Sequence, residues 1–216
     1  MFDTPKVEAS KSAQLIECPA RREAKPADPC TMVIFGASGD LTKRLVVPAL
    51  YNLARTKVLP ENFALIGVAR SNRTTESWQT HLHDMLESFV GNAAAEFDVD
   101  HIDEAVWKKL ADKMTYIEGD LTTPDVYEKL RGVLDKTGKK HDTNGNAIFY
   151  LAVADQLFST VVEQLGKAKL TDQQEDNNGK HKFWRRVVVE KPFGHSLDSA
   201  RALNASILRT LHEQQI

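Results

Sequence analysis

Short, almost wholly apolar runs alternate with longer segments of mixed polarity along most of the chain. The apolar runs are typical of buried strands, and the mixed segments are typical of amphipathic helices. The predicted strands are 31–36, 63–70, 114–120, 146–153 and 185–192. The predicted helices are 40–55, 75–90, 102–113, 124–136, 156–168 and 198–214. Because apolar strands need helices over both faces, the pattern predicts an α/β fold with a doubly wound, Rossmann-like parallel sheet.

The alternation divides the chain into a lead-in and one domain. Residues 1–29 are rich in Lys, Glu, Ala and Pro and show no sustained period of 2 or 3.6, which predicts a flexible lead-in. The domain is predicted to span 30–216. Two polar stretches within it, 135–146 and 171–183, predict solvated surface loops without a binding role.

Charge and cysteine content favour a small-molecule partner. The 28 basic and 30 acidic residues give a net charge of -2, which provides no general field for nucleic acid or an anionic membrane. Cys18 and Cys30 are too few for a zinc cage or a disulfide framework, so we predict no metal site. With neither a membrane span nor a signal-peptide core in the pattern, the prediction is a cytoplasmic protein that binds neither nucleic acid nor membrane.

The turn between the first strand and the first helix is a candidate phosphate site. Gly36 and Gly39 permit a tight turn and a close approach of phosphate to backbone amides, while Ala37 and Ser38 keep the turn small. Asp40 is predicted to cap the free amides of the helix. Because the G-x-x-G spacing departs from the G-x-G-x-x-G fingerprint, a plain strand-to-helix turn remains an equal alternative.

The end of the second strand bears on the choice of coenzyme. In dinucleotide sites an acidic residue there selects an unphosphorylated ribose, whereas arginine accommodates a 2′-phosphate. Arg70 occupies this place, and Arg73 follows it. None of the four residues after Arg70 is acidic. Guanidinium groups bind phosphate in a bidentate manner, so NADP is predicted over NAD. The alternative is an ordinary solvated arginine at a strand end.

The last strand places a lysine at the same sheet edge. It ends in Glu-Lys-Pro-Phe-Gly, so Lys191 is predicted beside Gly36 and Arg70 at the carboxyl ends of the strands. Pro192 fixes its own φ, and its peptide bond is a candidate for the cis form. The alternative is a strand that simply ends at proline, with the lysine in solvent.

The pairing of "GASGDLTKRLVVPALYNL" with a later "EKPFGHSL" resembles the coenzyme domain of the glucose-6-phosphate dehydrogenase family. "IGVARS", "IEGDL" and "FYLAV" lie between them in the family's order, and the resemblance covers about residues 30–216. It extends to Pro48 inside the first helix, where a kink is otherwise expected.

The resemblance implies a set of binding residues. Arg70 is implied to meet the 2′-phosphate of NADP, and Asp120 and Leu121 to lie beside the adenine side of the coenzyme. Lys191, before a cis Pro192, is implied to contact both the coenzyme and the sugar phosphate. The implied cradle is Gly36, Ala37, Ser38, Gly39, Asp40, Leu41, Thr42 and Lys43.

The implied activity is oxidation of glucose 6-phosphate to 6-phosphogluconolactone with reduction of NADP, in a protein that forms homo-oligomers. Two departures leave the nicotinamide end open: Ala154-Asp155 stands where the family usually has Pro-Pro, and Phe158 where a tyrosine is common. The family's substrate-phosphate segment and proton-accepting histidine would lie beyond the position matching Ile216. No catalytic residue is therefore assigned, and His195, near the rim, is predicted to be a surface residue.

Three hypotheses follow from the sequence. The chain is the amino-terminal part of a full dehydrogenase, or a stand-alone NADP-binding or interaction module without catalysis, or a short dehydrogenase with its own base. The third is weakened because no Tyr-x-x-x-Lys pair follows the fourth strand. In the first two cases, we expect these residues to bind coenzyme without turnover and glucose 6-phosphate weakly or not at all.

Overall fold

The computed structural model describes residues 25–91, 97, 99–175 and 181–216, and the fold within them begins at Cys30. Residues 25–28 are exposed and have no regular secondary structure. The predicted lead-in otherwise lies outside the described residues. The Pro29 carbonyl accepts a hydrogen bond from the Asn146 side chain at 2.8 Å, which attaches the start of the domain to the start of a neighbouring strand.

Within the described part of the chain, five parallel strands form one sheet, as the pattern predicts. They are β1 (Cys30–Phe35), β2 (Phe63–Ala69), β3 (Met114–Glu118), β4 (Ala147–Leu151) and β5 (Arg185–Val189). Their order in the sheet is β3-β2-β1-β4-β5. The direction of winding reverses between β1 and β4, and in open α/β sheets that reversal opens a crevice beyond the carboxyl ends of the strands.

Among the described residues, six α-helices cover both faces of the sheet. They are α1 (Val47–Arg55), α2 (Thr75–Phe89), α3 (Glu104–Ala111), α4 (Pro124–Lys140), α5 (Phe158–Lys167) and α6 (Leu197–Ile207). Helices α1 to α3 pack on the face that carries Ile34 and Leu65. Helices α4 to α6 pack on the opposite face, against Val33 and Phe35. None of the described helices is long and apolar enough to cross a bilayer.

Several helices begin at side-chain caps. The Asp103 carboxylate accepts hydrogen bonds from the Ala105 and Val106 amides at 2.9 and 3.1 Å. Ser196 and Ser199 form a reciprocal capping box at the start of α6. Each such cap satisfies amides that would otherwise lack a partner. Asp155 is different, because it begins a short 3₁₀ turn and α5 starts only at Phe158.

The first helix contains a widened turn before its proline. Residues Thr42–Val46 form a π-helical turn, in which the Val47 amide donates to the Thr42 carbonyl. Pro48 follows in the first turn of α1, where its missing N–H costs least. The expected interior kink is thus replaced by a local change of helix type between the candidate turn and α1.

Three sequence predictions of loop and helix limits are wrong. Helix α4 extends to Lys140, four residues beyond its predicted end, because Leu134 and Thr137 are buried against the sheet. Thr143 and Asn146 in the same connector are also buried, so 135–146 is not a solvated loop. Helix α6 ends at Ile207, because the chain turns back to bury Leu211 and Gln215. The side-chain Nε2 of Gln215 donates to the carbonyls of Thr171 and Arg185 at 2.8 and 3.2 Å.

Candidate functional site

The predicted site residues lie at one edge of the sheet. Gly36, Arg70 and Lys191 follow the carboxyl ends of β1, β2 and β5, and Asp120 follows that of β3. All five strands are parallel, so these ends meet at the same edge. Strands β2 and β5 are three strand spacings apart, which places Arg70 and Lys191 about 14 Å from each other along this edge.

Gly36 is required by the shape of the turn. Its φ is 89°, in the left-handed region that favours glycine. A Cβ there would lie 2.1 Å from the Ala152 carbonyl oxygen at the end of β4. The Gly36 amide donates to the Val68 carbonyl at 2.9 Å, which attaches the turn to β2. The turn thus sits in close contact with backbone on both sides of β1.

The turn leaves a row of amides without partners. The Gly36 carbonyl accepts from the Gly39 amide at 2.8 Å and from the Thr42 hydroxyl at 3.0 Å. Among the described residues, no hydrogen bond satisfies the backbone N–H groups of Ser38, Asp40 and Leu41. Such amides at the start of a helix form a site suited to a phosphate.

The capping role predicted for Asp40 is wrong. Its carboxylate is exposed and forms no hydrogen bond with any amide of the described residues. The helix instead begins without a side-chain cap, and its first amides stay free. The absence of a cap is consistent with a turn that leaves its donors to a ligand.

Trp78 of α2 packs under the turn and bonds to it, and the sequence analysis did not identify this residue. Its indole Nε1–H donates to the Ala37 carbonyl at 3.1 Å, and the side chain is fully buried. A Cβ on Gly67 in β2 would lie 2.6 Å from the Trp78 ring, so the glycine makes space for it. A glycine within an otherwise apolar strand is the sequence signal for this close approach.

Cationic side chains cluster beside the turn. Arg70 is exposed immediately after β2. Burial lowers the pKa of His81 on α2 below its ordinary value, and the nearby charges of Arg73 and Lys43 lower it further. Lys43 from the first helix and Arg73 from the β2–α2 loop are therefore both near His81. This arrangement concentrates positive charge at the carboxyl end of β2.

Asp120 and Leu121 follow β3 at the same edge. The Asp120 carboxylate accepts from the Thr122 amide and hydroxyl, both at 2.9 Å. These hydrogen bonds hold the pKa of Asp120 below its ordinary value, with a smaller effect from Arg70. The Leu121 side chain is buried in the core, and its carbonyl accepts from the Tyr127 hydroxyl at 2.8 Å. Their place beside an adenine stays a prediction.

The segment after β5 has the peptide geometry that the resemblance implies. The Lys191–Pro192 bond is cis, and the Lys191 side chain is exposed. The preceding Glu190 carboxylate accepts a hydrogen bond from the Tyr150 hydroxyl of β4. Burial, with the adjacent Glu190, raises the pKa of Tyr150. The tyrosine thus attaches the start of this segment to the sheet.

Two residues that the sequence analysis treated separately form a pair. The His195 Nε2 and Asp155 Oδ2 atoms are 2.8 Å apart, joining the loops that follow β4 and β5. His195 is exposed as predicted, with 72% of its side chain accessible, whereas only 19% of Asp155 is accessible. The replacement of Pro-Pro by Ala154-Asp155 therefore supplies a partner for His195.

A second cluster was not recognised from the sequence. His83 and Glu87 of α2 and Glu104 of α3 bring one ligand atom each to within 4.8 Å of one another. His83 Nε2 lies 3.0 Å from Glu104 Oε1, and the His83 ring packs against Trp107. Both carboxylates are exposed, and the geometry is that of a surface ion pair between two helices.

Comparisons with known proteins agree with this geometry. The family model "Glucose-6-phosphate dehydrogenase, NAD binding domain" matches residues 33–216. Glucose-6-phosphate 1-dehydrogenase 2 of Mycobacterium bovis is 36% identical over 196 residues, which cover 91% of this chain and 35% of that protein. Glucose-6-phosphate 1-dehydrogenase of Chlamydia pneumoniae is 35% identical over 188 residues, covering 87% of this chain and 35% of the relative.

Solved structures show the same fold. The crystal structure of glucose-6-phosphate 1-dehydrogenase from Mycobacterium avium superposes with a TM-score of 0.69 at 33% identity, covering 88% of this chain and 36% of that one. A glucose-6-phosphate dehydrogenase in complex with glucose 6-phosphate gives a TM-score of 0.70 at 26% identity, with coverage of 88% and 36%.

The chain spans about a third of the length of the curated relatives it matches. The matched part is the domain that binds a nicotinamide dinucleotide, and it includes both the glycine turn and the Glu-Lys-Pro-Phe-Gly segment. The chain therefore belongs to the glucose-6-phosphate dehydrogenase family and matches its NAD-binding domain.

Proposed function

We propose that the carboxyl edge of the sheet binds NADP, with the diphosphate at the turn that follows β1. The observation that carries this proposal is the row of unpartnered amides at Ser38, Asp40 and Leu41, next to a glycine in the left-handed region. A diphosphate accepts hydrogen bonds from such amides and gains from the positive end of the helix dipole. Ala37 and Gly39 complete the small turn, and Thr42 fixes it through its hydroxyl.

The preference for NADP over NAD is supported by charge. Arg70 and Arg73 follow the carboxyl end of β2, where the ribose of a dinucleotide binds in this sheet topology, and Lys43 is near enough to His81 to lower its pKa together with Arg73. A 2′-phosphate offers these cations a dianion, whereas the unmodified ribose of NAD offers only hydroxyl groups. Asp120 is the acidic exception, and its carboxylate is already engaged by Thr122.

The proposed reaction of the whole protein is oxidation of glucose 6-phosphate. A hydride passes from C1 of the sugar to NADP, the C1 hydroxyl loses a proton to a base, and 6-phosphogluconolactone forms. The coenzyme supplies the redox chemistry, and the protein supplies binding, orientation and the base. We place Lys191 at the sugar phosphate and the coenzyme. The named activity of the Mycobacterium bovis and Chlamydia pneumoniae relatives supports this reaction.

The proposal assigns coenzyme binding, and not turnover, to these 216 residues. It assigns none of them the role of base, and it places the full-length protein in the cytoplasm as a homo-oligomer. One observation favours a second candidate, a dehydrogenase that has its own base: the His195–Asp155 pair lies at the same edge as Lys191. Replacing His195 by alanine would abolish turnover in that case only.

Calorimetric titration with NADP and NAD, followed by a turnover assay on the same sample, tests the proposal. We expect saturable NADP binding, weaker NAD binding and no lactone formation. Equal affinity for the two coenzymes would contradict the assignment of Arg70, and absence of binding would contradict the site. Measurable turnover that disappears in His195→Ala would instead support the second candidate.

A further inference from the structure

A cavity lies at the amino ends of the strands, on the edge of the sheet opposite the candidate coenzyme site. It has a volume of about 310 Å³ and is formed by the start of β1, the start of β5 and the connector after α4. Its lining includes Thr31, Gly138, Asn144, Gly145, Asn146 and Arg185. The volume is within the range of small-molecule sites, and none of these residues has a part in the proposed coenzyme binding.

Arg185 gives this cavity an unpaired positive charge. Its Nη1 atom is buried and has no hydrogen-bond partner among the described residues. Burial lowers the pKa of Arg185 to about 10, so the side chain remains charged at neutral pH. Asp135 is near enough to favour the charged form, yet no ion pair joins it to Arg185 within the part of the chain that the structure describes. Arg185 is half-buried, and a partly desolvated cation without an anionic partner among the described residues is costly, so a bound anion would offset that cost.

The packing around Arg185 leaves the edge of its guanidinium for an acceptor. The Phe183 ring covers one face of the guanidinium, with the Cζ atom 4.7 Å from the ring centroid. Gly145, with a φ of 76°, lies against the same Phe183 side chain, and an added Cβ there would be 3.3 Å from the ring. The N–H groups of a guanidinium lie in its own plane, so stacking on a ring leaves them able to pair with a planar carboxylate.

Backbone donors lie on the same wall of the cavity. The amides of Asn144 and Gly145 have no hydrogen-bond partner among the described residues, whereas the flanking Thr143 and Asn146 amides are paired at 3.0 Å. Thr143 is fixed by a buried hydrogen bond from the Thr31 hydroxyl at 3.1 Å. The cavity thus combines one half-buried cation with two backbone amides that have no partner among the described residues.

The charges around the cavity favour a monoanion. Arg185 and Lys139 contribute two positive charges, and Asp135 and Asp142 contribute two negative ones. A phosphate dianion would be repelled by both carboxylates, whereas a carboxylate carries a single charge and matches the flat guanidinium. We propose that this cavity is a second ligand site, and that it binds a small monocarboxylate through Arg185 and the amides of Asn144 and Gly145.

Acetate is the probe for a test by NMR with the ¹⁵N-labelled 216-residue protein. Titration at constant ionic strength, balanced with sodium chloride, should give saturable shifts of the Arg185 side chain and of the Asn144 and Gly145 amides. Arg185→Gln should weaken this binding at least tenfold. Arg186→Gln is the matched control, because Arg186 is the exposed neighbour on β5 that stacks on Trp184, and it should leave the binding unchanged.

Two further variants, Arg185→Lys and Asp135→Asn, also test acetate binding. If Arg185→Gln does not fold, Arg185→Lys should retain the charge but weaken acetate binding, because ammonium lacks the planar fork. Asp135→Asn should tighten acetate binding by removing a competing negative charge. The proposal is overturned by shifts that do not saturate, by tighter binding of inorganic phosphate than of acetate, or by equal binding in Arg185→Gln. It is also overturned if Asp135→Asn leaves acetate binding unchanged or weaker.

Discussion

At the scale of single residues, the candidate site combines backbone amides of the turn after β1 with cationic side chains near the end of β2. The amides of Ser38, Asp40 and Leu41 supply donors that do not depend on side-chain identity. In the proposed function, Arg70, Arg73 and Lys43 supply the charge that distinguishes a phosphorylated ribose. The two contributions are separable, since the first serves any dinucleotide and the second serves NADP. Substitutions can therefore test each one.

Arg70→Ala should reduce the preference for NADP over NAD. We expect NADP binding to weaken by about 1–3 kcal/mol, the usual loss for a charge-assisted hydrogen bond, while NAD binding hardly changes. Calorimetric titration with both coenzymes measures the difference. Arg55→Ala, which removes an exposed arginine from the last turn of α1, is the control and should preserve the preference. An equal loss for both coenzymes would contradict the role of Arg70.

The protonation of His81 should respond to NADP but not to NAD. Burial and the charges of Arg73 and Lys43 hold the pKa of His81 below its ordinary value of 6.5. A 2′-phosphate bound to these cations would offset their charge, so the pKa should rise toward 6.5. NMR titration of the imidazole, with saturating NADP or NAD, measures this pKa. His141, whose pKa is lowered mainly by burial in the connector after α4, serves as an internal control.

The lowered pKa of His81 also determines how the stability of the protein changes with pH. The unfolded chain binds a proton at His81 near pH 6.5, and the folded protein does so only at lower pH. The unfolded state therefore binds more protons in that window, and the contribution of His81 to stability is lost as the pH falls below 6.5. Bound NADP should reduce this loss. If NADP left the pKa of His81 unchanged, the 2′-phosphate would not bind beside Arg73 and Lys43.

At the scale of elements, the turn after β1 is held from two sides. Gly36 contacts the end of β4, and Trp78 of α2 bonds to Ala37 from below. The hydrogen bond from the Gly36 amide to Val68 adds the end of β2. Three elements thus fix one short segment, which keeps its free amides in place before a ligand arrives. Preorganisation of this kind lowers the entropic cost of binding.

Gly36→Ala should destabilise the protein far more than Gly39→Ala. The added methyl group at Gly36 would meet the Ala152 carbonyl oxygen at 2.1 Å in a left-handed conformation, whereas at Gly39 the nearest atom is the Gly36 carbonyl oxygen at 3.1 Å. We expect a loss of about 3 kcal/mol or more for Gly36→Ala and about 1 kcal/mol for Gly39→Ala. Urea unfolding measures both. Equal losses would show that the turn is not confined as described.

Trp78→Phe should loosen the turn while keeping most of the core. The change removes the donor to the buried Ala37 carbonyl, and leaving that acceptor unpaired costs about 1–3 kcal/mol of unfolding free energy. NADP affinity should fall as well. Trp107→Phe is a matched control, because that buried indole donates no hydrogen bond within the described residues. Coenzyme affinity equal in the two variants would argue against support of the turn by Trp78.

The elements themselves were largely predictable, and their ends were less so. Apolar runs such as that of β2 specify buried parallel strands, because no polar position interrupts them. The end of α4 depends on the burial of Thr137, and the end of α6 on the burial of Gln215, and both are tertiary effects. The π-helical turn before Pro48 was not predicted from the sequence either.

At the scale of the whole molecule, the two edges of the sheet differ in chemistry. The carboxyl edge combines the glycine turn, the cations after β2 and the segment around Lys191. The amino edge contains the cavity beside Arg185. Exposed apolar side chains also follow the β5 edge of the sheet, at Val188, Phe193 and Leu197. Each surface therefore suits a different kind of partner.

The site was predictable in outline because topology places the ends of parallel strands together. Gly36, Arg70 and Lys191 were expected at one edge from their places at strand ends, and the sheet order brings them there. Their binding roles rested also on the family resemblance and stay predictions. Contacts between residues distant in sequence were not predictable in this way. The Asp155–His195 pair and the bond from Trp78 to Ala37 join different loops and helices, and no spacing rule reports them. The cavity at Arg185 was missed because its connector was interpreted as a solvated loop.

An amide NMR map of the whole chain during NADP titration shows whether the turn after β1 holds the diphosphate. We expect the largest shifts at Ser38, Asp40 and Leu41, with further shifts at Arg70 and Lys191 and none at the amino edge around Gly145. NAD should reproduce the shifts at the turn and produce a smaller change at Arg70. Saturable NADP binding that leaves the amides of Ser38, Asp40 and Leu41 unshifted would contradict the claim that this turn holds the diphosphate.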